Sequence, residues 1–262
     1  MSQEKVIPWE EDFPSGIGQT SIDFIRNHGN RELFMQAKAG DEIAAVELVK
    51  KCIKKDRVID LYNQHPDAVI LPVMAKERTG YNVLPLAYAK VMSSISGFRV
   101  NEDIFQINSP HHTGACAMER LITRPVFDGK VQNGYNYVVL DDVVTQGGTV
   151  SSLRHFIKEH GAKVVAVSAL AFGKESTIIA LQQETYKNIS EKFGRDELEG
   201  FLQEKGIARG IEELTNAEGK YLLKFRDVDA IRKRAYEIGI QRVLKENGRV
   251  FKEKSIAIDR VL

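Results

Sequence analysis

Short apolar runs that end in polar or glycine-rich turns alternate with stretches of helical periodicity along the first two thirds of the chain. The runs at 68–73, 104–107, 137–140 and 164–170 read as strands, because brief continuous apolar runs bounded by turn residues suit strands covered on both faces. Ala45, Leu48, Val49, Cys52 and Ile53 share one face of a helix, and Val150, Leu153 and Ile157 repeat that spacing after the third run. Strands alternating with helices predict a parallel sheet covered by helices, an α/β fold.

Three segments close alike, at Glu159-His160-Gly161, Glu204-Lys205-Gly206 and Glu246-Asn247-Gly248, where glycine after a charged turn suits the left-handed residue that stops a helix. Thr215 and Glu218 stand at capping-box spacing ahead of another helix. Residues 176–247 are therefore expected to be predominantly helical, and 249 onward reads as a tail. Val228, Ile231, Ala235 and Ile238 form a narrow apolar seam on an otherwise charged helix. A seam of that kind needs a partner surface, expected to be the α/β domain of the same chain rather than a second subunit.

Composition narrows the class. With 262 residues, 43% hydrophobic and 28% charged, the chain can bury a large α/β domain, and a disordered or fibrous chain is excluded. The net charge of +1 gives no global field toward nucleic acid or an acidic membrane surface. From Lys220 to the end, twelve Lys/Arg stand against six Asp/Glu, which reads as a solvated helical face before it reads as a nucleic-acid contact. Cys52 and Cys116 stand far apart without metal-ligand spacing, so neither a disulfide framework nor a zinc site is expected, and a reducing, cytoplasmic setting fits. No apolar stretch has the length of a membrane span.

The chemistry concentrates in Tyr137-Val138-Val139-Leu140-Asp141-Asp142-Val143-Val144-Thr145-Gln146-Gly147-Gly148-Thr149. It is a buried strand, then two carboxylates, then a glycine-rich turn into a helix. A strand of this kind delivers its last residues to the carboxyl edge of the sheet, where ligands of open α/β folds bind. For Asp141 and Asp142 to face one ligand, the backbone must turn at once, since successive strand side chains point to opposite faces. Gly147 and Gly148 let backbone amides approach an anion, Thr145 and Thr149 add hydroxyls, and the helix N-terminus adds unpaired N–H groups. No Gly-Lys-Ser/Thr sequence follows, which points away from an ATP-binding P-loop. Adjacent carboxylates repel a phosphate but accept hydrogen bonds from the vicinal hydroxyls of a ribose. One turn thus reads a sugar and its 5-phosphate together.

The stretch from Val138 to Thr149 closely resembles the signature by which type I phosphoribosyltransferases bind 5-phosphoribosyl-1-pyrophosphate (PRPP). The resemblance implies a Rossmann-like parallel sheet of the type I phosphoribosyltransferase fold. It divides the chain into N-terminal helices forming a hood (1–66), a phosphoribosyltransferase core (67–174) and a helical C-terminal extension with a tail (175–262). It implies that Asp141 and Asp142 hold the ribose, and Mg²⁺ indirectly through PRPP. Val144, Thr145, Gln146, Gly147, Gly148 and Thr149 would hold the 5-phosphate. Ala75, Lys76 and Arg78 would stand at the pyrophosphate, and His112 in a mobile loop closing over the reaction. Gln146 departs from the small or hydroxyl residue common at its place, and Glu77 stands where many relatives have glycine. The hood, with Phe172-Gly173-Lys174, would take a planar acceptor.

The activity so implied is Mg²⁺-dependent transfer of 5-phosphoribosyl from PRPP to a nucleobase or another nitrogen nucleophile, with release of pyrophosphate. Homodimers are common in the family. The long helical C-terminal region opens two alternatives. One is a PRPP- or nucleotide-sensing regulator that binds nucleic acid through its basic end. The other is an effector of a mobile element or of phage defence that uses the same nucleotide site.

Overall fold

The computed structural model describes residues 6–77, 80–108 and 115–259; for 76, 77, 80 and 245–259 it describes the backbone. The N-terminal part runs β1 (Ile17–Ser21), α1 (Ile22–Arg26), α2 (His28–Lys38), α3 (Glu42–Cys52) and α4 (Lys55–Gln64). The middle runs β2 (Val69–Pro72), β3 (Lys76–Glu77), β4 (Gly80–Tyr81), α5 (Leu84–Ser96), β5 (Arg99–Val100), β6 (Ile104–Gln106), α6 (Ala117–Ile122), β7 (Phe127–Gly129), β8 (Asn136–Val144), α7 (Gly148–Glu159) and β9 (Lys163–Phe172). Then come α8 (Gln183–Phe193), α9 (Arg195–Glu204), a 3-10 turn at Ile211–Glu213, α10 (Asn216–Leu222) and α11 (Val228–Asp259).

Five strands form a parallel sheet in the order β1-β9-β8-β2-β5. The fold is the α/β class expected, a Rossmann-like parallel sheet with a helical C-terminal region. Side-chain alternation builds a core on each face. Ile70, Val138 and Leu140 pack with Leu48 of α3 and Tyr88 and Met92 of α5. Val69, Leu71, Tyr137 and Val139 pack on the other face with Val150, Leu153 and Ile157 of α7. A third core joins α6, through Met118 and Leu121, to α8, α9 and α11. There the seam of Val228, Ile231, Ala235 and Ile238 is buried within the same chain, but mainly against the helical region itself; among the described residues of the α/β domain only α6 joins it, which corrects the expectation that the α/β domain is its partner.

Several expectations are corrected. The run at 104–107 does not join the parallel sheet; β6 pairs antiparallel with β7 in a separate ribbon. Only Ile104 of that run is buried, while Phe105 and Ile107 are exposed, so it cannot serve as a strand covered on both faces. The N-terminal segment is not only helical, since its β1 forms an edge of the sheet beside β9. Gly161 and Gly206 do close α7 and α9, with φ of 76° and 61°. Gly248 stops nothing, and α11 continues to Asp259 in place of a tail. One helix glycine costs only about 1 kcal/mol relative to alanine, too little to end a helix with lysine, arginine and glutamate on both sides. Among the described residues, no helix is long and apolar enough to cross a membrane.

Candidate functional site

The backbone does not turn at the carboxylate pair. β8 continues through Asp141 and Asp142 to Val144, which pairs with Phe172 of β9. Strict alternation would put Leu140 and Val143 on opposite faces, yet both pack against the first core, while Val144 packs against the second. The alternation is broken across Asp141 and Asp142, and both carboxylates line one cavity of about 650 Å³. That volume suits a small phosphorylated ligand.

Asp141 and Asp142 are 9% and 5% exposed and have different surroundings. Asp142 Oδ2 accepts Lys38 Nζ and Asn82 Nδ2, each at 2.9 Å, and its Oδ1 accepts the Val143 amide at 2.6 Å. Burial alone would raise Asp142, but the Lys38 charge and these hydrogen bonds outweigh it and hold the group below its ordinary value. Asp141 accepts the Asp142 amide at 2.8 Å. Its burial and the neighbouring Asp142 charge push it well above its ordinary value. The pair therefore offers one fixed anion and one carboxyl group that tends to keep its proton.

Beyond β8, Thr145 and Gln146 lead to Gly147, whose φ of +79° is the left-handed conformation that favours glycine. Gly148 opens α7, so the positive end of that twelve-residue helix faces the cavity. The side-chain amide of Gln146 is shielded from solvent and makes no hydrogen bond with the described residues. Helices α1 and α2 contribute Ile22, Ile25, Phe34, Met35 and Lys38 to the lining, and Ala75, Asn82, Gln106 and Arg120 also belong to it. Burial draws Arg120 below its ordinary value, and it brings a guanidinium to the lining of the cavity.

The structure thus gathers Asp141, Asp142, Val144, Thr145, Gln146, Gly147, Gly148, Thr149 and Ala75 around one cavity. Arg78 and His112 lie outside the described residues, as does the side chain of Lys76. The backbone of Lys76 and Glu77 pairs with that of Gly80 and Tyr81 in a short antiparallel ladder. Phe172 is corrected: it lies across Gly16 and Gly18 and lines a different cavity with Arg57, away from the carboxylates. Residues of α1 and α2 line the cavity that the carboxylates line. Lys38 and Asn82 were not singled out in the sequence. Lys38 is one lysine among many at the end of an amphipathic helix, and only its contact with Asp142 marks it. Cys52 is buried, which pushes its thiol up to about 11, and neither it nor Cys116 lines the cavity.

The chain is 34% identical over 235 residues to "Protein TraN" of Escherichia coli, an alignment covering 89% of this chain and 51% of that protein. A shorter stretch of 65 residues is 32% identical to an orotate phosphoribosyltransferase of Pyrococcus horikoshii, covering 25% of this chain and 35% of the enzyme. The chain thus spans about half of TraN and about a third of the orotate enzyme. A crystal structure of a purine phosphoribosyltransferase from the same archaeon is similar over 45% of this chain and 69% of its own, at 20% identity and a TM-score of 0.32. No family model matches the chain.

Proposed function

We propose that the chain is a phosphoribosyltransferase of type I fold, transferring 5-phosphoribosyl from PRPP to a nucleobase or another nitrogen nucleophile with release of pyrophosphate. The observation that carries this reading is the meeting of the carboxylate pair and the Gly147–Gly148 turn in one cavity. A ribose 5-phosphate needs hydroxyl acceptors and an anion cradle a sugar's length apart, and one strand-to-helix connection supplies both. Phe34 and Met35, which line the same cavity, offer a planar acceptor an apolar surface.

Among the described residues, no cluster of three or more His, Cys, Asp and Glu side chains could cage a metal ion. Asp142 already has Lys38 and Asn82 on one oxygen. This donor set fits Mg²⁺ carried on the ligand's own oxygens, with Asp141 and Asp142 reaching it indirectly through the ribose. Bound there, Mg²⁺ would neutralise the leaving pyrophosphate. The chain's own work is positioning. Asp141 and Asp142 orient the ribose, the turn fixes its phosphate, and Arg120 and Lys38 add positive charge near developing negative charge.

Calorimetric titration of PRPP with and without Mg²⁺, followed by a panel of bases and measurement of pyrophosphate, tests the proposal. Wild-type protein is expected to bind PRPP and to release pyrophosphate with one acceptor. Asp141→Asn/Asp142→Asn protein is expected to lose at least tenfold in affinity. Binding without release with any acceptor would overturn the transferase reading in favour of a sensor.

A further inference from the structure

The turn that lines the cavity has its carbonyls held by residues of the C-terminal region that do not line it. Ser176 Oγ donates to the Thr145 carbonyl, and Thr215 Oγ1 donates to the Gln146 carbonyl. Both hydroxyl residues are buried, at 5% and 1% exposure. In a planar trans peptide the C=O and the following N–H point in opposite directions. A Thr145 carbonyl held at the back therefore turns the Gln146 amide the other way, and a held Gln146 carbonyl does the same for Gly147. We propose that Ser176 and Thr215 are positioning residues of the anion site, holding the Gln146 and Gly147 amides toward the cavity so that they grip the ligand's phosphate. The inference rests on the anion-cradle part of the function proposed above.

The surroundings bear the same arrangement out to a second layer. Thr215 also caps α10, accepting the Glu218 amide at 3.2 Å while the Glu218 carboxylate accepts the Thr215 amide at 3.0 Å. The other Glu218 oxygen pairs with Arg124 Nη1 at 2.7 Å, and the two side chains are 1% and 10% exposed. These groups press on the turn itself. A Cβ at Gly147 would stand 3.1 Å from the Thr215 methyl, and one at Gly148 would stand 2.8 Å from Glu218 Oε1 and overlap Arg124. Asn216 donates its amide to the Ile179 carbonyl at 2.9 Å, which fixes α10 to the segment that follows Ser176. The helical region is thus the back wall of the anion site and not an appendage to it.

Ser176→Ala tests the bond that caps no helix, and Thr215→Val tests the other, with Thr215→Ser as the variant that keeps the hydroxyl. Affinities for inorganic phosphate and for PRPP are measured by calorimetry on the full chain, beside the thermal midpoint without ligand. The Ser176→Ala/Thr215→Val protein is expected to bind both probes at least tenfold more weakly. Ser176→Ala alone should weaken phosphate severalfold with its midpoint unmoved, and Thr215→Ser should restore affinity to within about twofold of wild type. Wild-type protein that binds both probes, with variants that bind them equally well, would overturn this inference and leave the transferase reading standing. Phosphate binding that weakens in the variants, in a protein that never binds PRPP, would uphold the inference and sink the transferase reading. Failure of the wild type to bind either probe overturns both.

Discussion

Gly148 has no room for a side chain, since a Cβ there would displace the buried Arg124–Glu218 pair. Overpacking of that kind costs about 1–3 kcal/mol. Gly148→Ala is therefore expected to lower stability by that amount in urea unfolding and to abolish phosphate binding. Gly200, inside α9 with nothing within 4 Å of its Cβ position, is the contrasting case. Gly200→Ala should leave binding unchanged and stabilise by about 0.5–1 kcal/mol, because alanine gives up less chain entropy in a helix than glycine does. At this scale, what could be read in the sequence was what lies contiguously along it: Asp141, Asp142 and the Gly147–Gly148 turn are neighbours in the chain and in space. Lys38, Asn82, Ser176 and Thr215 reach the same few residues from distant segments, the last across 69 positions. No local pattern marks a lysine or a hydroxyl for such a contact.

Among the elements, the 3-10 turn at Ile211–Glu213 acts as a junction. The Glu213 carboxylate accepts the Ile7 amide at 2.8 Å and the Arg209 amide at 2.7 Å and lies 3.0 Å from His155 of α7, while its carbonyl accepts Ser151 Oγ at 3.0 Å. Burial would raise this carboxyl, but the bonds from His155, Arg209 and Ile7 together hold it below the ordinary glutamate value of 4.5. A group depressed on folding contributes stability that is present above its unfolded value and is lost as pH falls through the folded value. The thermal midpoint should thus fall as pH drops below about 4.5. Glu213→Gln should flatten that fall and lower the midpoint at pH 7; equal slopes in both proteins would refute the role. Helices were legible wherever an apolar stripe recurred, as in α3, α7 and the first turns of α11. The β6–β7 ribbon was not, because its half-exposed Phe105 and Ile107 mimic a buried run when only hydrophobicity is counted. Gly248 misled for a related reason, since a left-handed stop and a tolerated helix glycine are the same residue in the sequence.

At the scale of the molecule, the helical region has its own core yet is fastened to the sheet where the ligand is proposed to sit. Ile231 is fully buried in that core, and truncating such a side chain costs about 2–5 kcal/mol. If the helical region were independent, Ile231→Ala would loosen it without touching the ligand site. The Thr215–Gln146 bond and the Arg124–Glu218 pair argue otherwise, because opening α10 would free the carbonyl that aims the Gly147 amide. Coupling of this kind is reciprocal. PRPP at a hundredfold its dissociation constant adds about 2.7 kcal/mol to any unit whose opening destroys the site. In a chain of this size that raises the thermal midpoint by roughly 5–10 °C. Hydrogen exchange followed by mass spectrometry should then show PRPP slowing the amides of α10, and not only those at the start of α7. Ile231→Ala should weaken PRPP binding although its side chain lies outside the cavity. Protection confined to α7, with unchanged PRPP affinity in Ile231→Ala, would mean that the sheet binds its ligand without the helical region.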